Sequence, residues 1–312
     1  MQKRRNIWLL IVLVGLIGIN ILVFTWNNHT SATAFDEKLF SIQDTAQIER
    51  IEIVGKDFEN EIKKVGQQWM VNGQYKLDEG LRRTLLPVLR EIRVRRTVSE
   101  NQKEEVIDLL KNNGTKITVY SQKGVIITFL SAGNREENLT YFMLSDNQQP
   151  YVVHLPGYES YVAGLFEIPE NDWRDRIVMN ILWQSLKELH LVYPNNQEKS
   201  FSIKASDQFF SVPGIQYLDS ARVFDYLQQV EYILTDKYIQ PGEFSEYDSL
   251  AKTNPMAILK LESIGDELQS ITFYPSGEND RYQLGVTETG QMVLFEVKRI
   301  APYFVEKSDF DM

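Results

Sequence analysis

Two stretches concentrate side chains able to do chemistry. The first holds Arg82, Arg83, Arg90, Arg93, Arg95 and Arg96, six guanidinium groups in a chain whose formal net charge is −10. A guanidinium is planar, always charged and able to grip a carboxylate or phosphate with two parallel hydrogen bonds, so the cluster points to docking of an acidic partner or lipid headgroups. Glu79, Glu91 and Glu100 offer the alternative of solvated ion pairs, each of small worth. The second stretch is Asp172-Trp173-Arg174-Asp175-Arg176, with Tyr158 upstream. Asp172 and Arg176 are one helical turn apart, a spacing that allows them to pair. Trp173 is expected to pack at a domain junction, where a structural hinge competes with a ligand site.

Other residue types give less. There is no Gly-rich phosphate loop, no H-E-x-x-H and no G-x-S-x-G. The carboxylate pairs Glu104-Glu105, Glu136-Glu137 and Asp309/Asp311 carry no apolar signature that would raise a pKa, and solvated surface is expected for them. His29, His154 and His190 show no ligand spacing. Catalytic, cofactor and metal residues are therefore assigned to none, and the chain is not expected to be an enzyme. Two alternatives stay open: an envelope hydrolase whose carboxylates converge only in space, and a solute-binding or sensing module with its site between two units near Trp173 and Tyr158.

The element that positions everything else is apolar. Residues 7–24 run without a charge, long enough at about 1.5 Å per residue to approach the roughly 30 Å thickness of a bilayer core. Lys3, Arg4 and Arg5 precede the run and no Lys or Arg follows until Lys38, an asymmetry that is expected to keep the N-terminus cytoplasmic and the bulk extracytoplasmic, on the periplasmic side. Trp8 and Trp26 bracket it. A cleaved signal peptide is the alternative, with cleavage after Ala34 in Ala32-Thr33-Ala34, but the apolar run is long for that role. With no cysteine, neither a disulfide nor a lipid-modified thiol is available. Setting the three leading bases aside leaves an exterior near −13, which argues against a nucleic-acid partner.

Beyond the anchor the chain aligns with itself at an offset near 140. Ile48, Ile51 and Ile53 correspond to Leu186, Leu189 and Leu191, Trp69 to Phe210, and Asp78 to Asp219. Leu86, Leu89 and Ile92 correspond to Leu227, Val230 and Ile233, and Ile127-Thr128-Phe129 with Gly133 to Ile271-Thr272-Phe273 with Gly277. The alternating runs predict strands, and the three- and four-residue spacings predict helices. Each unit is expected to open with a hairpin over 48–54 and 61–71. A helix follows from Asp78, its N-cap, to about Val94, kinked or split at Pro87. A second helix starts at Ser99 with capping-box form and stops at Gly114, and four antiparallel strands follow. The expected fold is α+β: one transmembrane helix, then two repeated units, each a mostly antiparallel sheet with two or three helices. The expected boundaries are 1–30 for the cytoplasmic tip and anchor, 31–47 for a linker, 48–156 for the first unit, 157–180 for the junction and 181–312 for the second unit.

The anchor, FSIQDTAQIERIEI, QQWMVNGQYKLD, a Leu-rich helix, and YVVHLPGYESYVAGLFEIPENDWRDR occur in an order that resembles the bacterial domain-of-unknown-function 4340 family. The resemblance covers nearly the whole chain, and the WRDR stretch is among its most specific parts. It implies an exported or membrane-anchored protein, similar to accessory components of ABC-type transport systems, and it carries over no functional residues. The expectation is thus a single-pass accessory or interaction protein of a transport or envelope complex, with a protein partner in the envelope and no cofactor.

Overall fold

The computed structural model describes residues 17–18, 35–206, 209–277 and 280–312. Apart from Ile17 and Gly18, the expected anchor over 7–24 and the cleavage site at Ala34 lie outside the described residues. Among the described residues no helix is long and apolar enough to cross a membrane.

The chain is α+β. In order, β1 (Ile48–Val54), β2 (Glu59–Val65), β3 (Gln68–Val71) and β4 (Tyr75–Lys76) precede α1 (Glu79–Glu91), β5 (Arg93–Thr97) and α2 (Glu100–Asn112). Strands β6 (Thr115–Ser121), β7 (Gly124–Asn134), β8 (Leu139–Leu144) and β9 (Pro150–His154) follow. Next come α3 (Glu170–Trp173), β10 (Ile177–Asn180), β11 (Leu186–Val192), β12 (Phe201–Ala205), β13 (Phe210–Ser211), α4 (Ser220–Val230), β14 (Tyr232–Leu234) and β15 (Lys237–Ile239). The chain closes with α5 (Ser245–Leu250), β16 (Ala257–Ser263), β17 (Leu268–Phe273), β18 (Tyr282–Thr287), β19 (Met292–Glu296) and α6 (Val297–Ile300).

By packing, the described residues fall into two compact units, those up to Ile48 with Leu85–Phe166, and those of Glu49–Thr84 with Glu167–Met312. In the first, the strands run β6-β7-β8-β9-β5, all antiparallel. One face carries α2 on Val98, Val106, Leu110, Ala132, Met143 and Val152. Elsewhere Phe40, Phe129, Phe142 and Phe166 meet edge to face or stacked at centroid distances of 4.5–6.0 Å. Each such ring, fully buried, contributes roughly 1.5–3 kcal/mol of transfer free energy.

The second unit holds the ladder β4-β3-β2-β1, the eight-stranded order β13-β12-β11-β16-β17-β18-β19-β15, and the separate pair β10-β14. Its core gathers Leu189, Leu191, Ile203, Val223, Leu227, Ile271, Phe273 and Phe295 beneath α4.

Element order and register recur along the chain. Ile51 lies opposite Ile62 as Leu189 lies opposite Ile203, and Ile117 opposite Phe129 as Ala257 opposite Phe273. Phe129 faces Leu144 as Phe273 faces Gly285, and β5 closes on β9 as β15 closes on β19. Both expected caps are present: Asp78 Oδ1 accepts from the Leu81 amide at 2.9 Å, and Asp219 Oδ1 from Arg222 at 3.0 Å.

Several local expectations are corrected. The stretch 61–71 is two strands, because Gly66, at φ 61°, supplies the left-handed conformation of a two-residue turn between Val65 and Gln68. The first helix ends at Glu91, where pairing of β5 with β9 takes over the backbone groups that a longer helix would have used. It runs through Pro87, whose ring is exposed, so the one lost helix bond lies on the wet side. Ser99 makes no side-chain cap; its hydroxyl donates instead to Gln102 Oε1 at 3.0 Å. The stop at Gly114 is as expected: α2 ends at Asn112 with Asn113 as its C-cap, and a Cβ at Gly114 would stand 2.2 Å from the Leu110 carbonyl oxygen.

Candidate functional site

The arginine cluster is divided by local structure. Arg82 and Arg83 lie on the first turns of α1, and both bond Glu79. The Arg82 hydrogen bond chiefly, with help from Arg83, holds the Glu79 carboxyl down to about 2. Arg90 Nε meets Glu91 at 2.9 Å, and Arg93 Nη2 meets the same carboxylate at 3.2 Å while its Nη1 donates to the Arg90 and Ile92 carbonyls. Glu100, expected among the partners, pairs with Lys103 at 3.6 Å.

Arg95 and Arg96 differ. Both lie on β5, the edge strand of its sheet. Val94 pairs with Val153 and Arg96 with Val152, so Arg95 is the extra residue of a bulge. A bulge breaks the strict alternation of a strand and re-aims its side chains. Both arginines are exposed, and neither has an ion pair among the described residues. Among the described residues the Arg96 guanidinium donates only to the Thr97 carbonyl, at 3.3 Å.

The second stretch builds a different arrangement, inside the second unit. Trp173 ends α3 fully buried, its Nε1 donating to the Ile168 carbonyl at 3.0 Å. Residue 174 is extended, so the helical geometry needed to pair Asp172 with Arg176 is absent. Arg176 turns instead to Asp236 at 3.6 Å and to the Thr235 carbonyl at 3.1 Å. Asp175 takes Lys76, at 2.7 Å. Tyr158, expected nearby, belongs to the other unit and is 73% exposed.

Arg174 is the centre of this region. The Asn72-Gly73 turn, with φ of 52° and 66°, is the left-handed pair that joins two antiparallel strands in a tight hairpin. It sets Tyr75 at the start of β4. The guanidinium carbon lies 3.6 Å from the Tyr75 ring centroid and 3.7 Å from that of Tyr238 on β15, a cation between two aromatic faces. Nη1 donates to Asn171 Oδ1 at 3.1 Å, and Nη2 to Gln291 Oε1 at 3.0 Å. Nε is buried without an acceptor. Burial pulls the Arg174 pKa down and pushes the Tyr238 phenol up to about 12, while the phenol donates to the Asp175 carbonyl at 2.7 Å.

Arg174 lines a cleft of about 700 Å³ whose walls come from β10, the start of β17 and the β18–β19 turn. Asn171, Tyr75, Tyr238 and Gln291 had no signal in the sequence as partners of one residue; only the Asn-Gly pair announces the turn that delivers Tyr75. His190 pairs with Glu188 at 3.1 Å, and among the described residues no group of three or more His, Asp or Glu is arranged to hold a metal ion. Comparison with known proteins finds no matching family model, no matching curated protein and no matching solved structure.

Proposed function

We propose that this chain is a single-pass, membrane-tethered, extracytoplasmic interaction protein, an accessory of a transport or envelope complex, that docks an acidic partner through Arg90, Arg93, Arg95 and Arg96. The observation that carries this proposal is the pair Arg95 and Arg96: two exposed guanidiniums with no carboxylate partner among the described residues, on a bulged edge strand, in a chain of net charge −10. In so acidic a chain, intramolecular partners are plentiful, and two arginines kept clear of them are available to another molecule. The apolar run over 7–24 with its flanking bases supports the tether, and the resemblance to the domain-of-unknown-function 4340 family supports the accessory role. The recurring order and register of strands support descent of the exterior from two copies of one unit.

In intact cells, a photo-cross-linker at Thr97, beside the two arginines on β5, is expected to join the chain to one envelope protein. Arg95→Glu with Arg96→Glu is expected to cut that adduct at least tenfold while leaving the fold intact. Equal yields from wild type and the double variant would overturn the docking proposal.

A further inference from the structure

Arg174 is 6% exposed, and among the described residues no carboxylate forms an ion pair with it. Its side-chain acceptors are two neutral amide oxygens, and its faces are covered by aromatic rings. A guanidinium carries five N–H donors, and among the described residues the Nε donor of Arg174 is buried without an acceptor. Buried charges are ordinarily paired. Glu170 acts on this charge only through space, so the guanidinium is suited to an anion, and the cleft that Arg174 lines is of the size that takes small ligands, about 300–1,000 Å³.

The rest of the lining narrows the choice. Among the described lining residues Arg174 is the only cation, while Glu267 and Glu288 also line the cleft, so a dianion such as phosphate meets more repulsion than a single carboxylate does. A single carboxylate followed by a neutral or basic remainder fits the charges. One wall is β10, which pairs with β14 along one edge only; Val178 is a bulge residue without a β14 partner. The Asn180 amide donates to Gln269 Oε1 at 2.9 Å, and the Asn180 carbonyl accepts from Gln269 Nε2 at 3.4 Å. One side-chain amide thus imitates the two-point contact that a neighbouring strand would make. Because β10 runs away from Arg174, a strand lying antiparallel along it brings its own C-terminus to the guanidinium.

We propose that this cleft binds the free C-terminal carboxylate of an extended peptide, with Arg174 holding the carboxylate and the outer edge of β10 holding the peptide main chain. Gln269, bonded to the Asn180 amide and carbonyl, holds the place that the peptide backbone would take. The cleft belongs to the second unit and the arginine surface to the first, and the test of the cleft does not depend on that surface.

The full chain, purified in detergent, is titrated with a positional library of dye-labelled hexapeptides carrying a free C-terminal carboxylate, and with the same library amidated. Free-acid peptides are expected to bind saturably, and their amides at least tenfold more weakly. Gln269→Ala, which leaves Arg174 in place, is expected to tighten binding, and Arg174→Lys to weaken it tenfold or more in a variant shown by circular dichroism to be folded. Equal affinity for acids and amides, or no saturable binding by the wild type, would overturn the proposal. Acetate competing at the same concentration as the peptides would overturn the role of β10. Failure of these arms with an intact cross-link at β5 would sink the cleft alone.

Discussion

Arg174 Nη2 donates to Gln291 Oε1 at 3.0 Å although 117 residues separate the two in sequence. The contact closes a group that also contains Asn171, Tyr75 and Tyr238, so the segments around residues 75, 174, 238 and 291 are tied through one guanidinium.

Removing that guanidinium leaves two aromatic faces, of half-buried Tyr75 and buried Tyr238, and two amide oxygens without their partner. Arg174→Ala is expected to cost about 2–4 kcal/mol, combining lost packing, cation–π contact and unsatisfied acceptors. Arg174→Gln is expected to recover part of this by refilling the volume. Urea unfolding followed by tryptophan fluorescence measures both, and a cost below about 0.5 kcal/mol for Ala would show that the group is not structural.

The two helix caps give a matched pair. Asp78→Ala and Asp219→Ala each delete one acceptor for an N-terminal helix amide and are expected to destabilise by about 1 kcal/mol. Asn at either position is expected to retain most of the stability. Chemical denaturation of the four variants checks this directly.

Alkaline pH is expected to unfold the second unit through its phenols. Burial raises Tyr238 to about 12 and raises Tyr193 and Tyr226 above the ordinary value of 10.0 as well. All three donate to backbone carbonyls, of Asp175, Val305 and Tyr303. Because the folded pKa values are raised, the stability these phenols contribute is fully present below pH 10 and is lost as pH climbs through the folded values. Tyrosinate absorbance and loss of near-ultraviolet circular dichroism are expected to rise together. Ionisation at the ordinary value with the fold unchanged would contradict this.

Gly114 stands where added atoms collide with backbone. A Cβ there would lie 2.2 Å from the Leu110 carbonyl oxygen, which no side-chain rotation can relieve. Gly114→Ala is expected to cost about 1–3 kcal/mol, whereas Ala at Gly265, whose nearest neighbour would be the Ser263 hydroxyl oxygen at 3.7 Å, is expected to be close to neutral. Thermal unfolding of the two variants distinguishes them.

What the sequence reveals of this molecule follows the range of its interactions. Alternation at Ile48, Ile51 and Ile53 marks β1, and Asp78 and Asp219 mark two helix starts, because each signal is complete within a few residues. The end of α1 is not legible, since Arg93–Thr97 becomes a strand only by pairing with β9, some sixty residues on. The same holds for Asp172 and Arg176, whose spacing suggests an ion pair that an extended Arg174 prevents. Glu49–Thr84 packs with Glu167–Met312, an arrangement no local pattern announces. Arg174 was singled out by its neighbours in sequence, but the residues that give it meaning come from four separate segments.

The most direct test of the central claim, that the body of this chain is tethered outside the cytoplasm, uses the absence of cysteine. Val125→Cys places a single thiol at a position 59% exposed. In intact spheroplasts, a membrane-impermeant maleimide is expected to label that thiol to the same extent as after lysis, with all of the protein in the membrane fraction. Labelling that appears only after lysis would contradict the account.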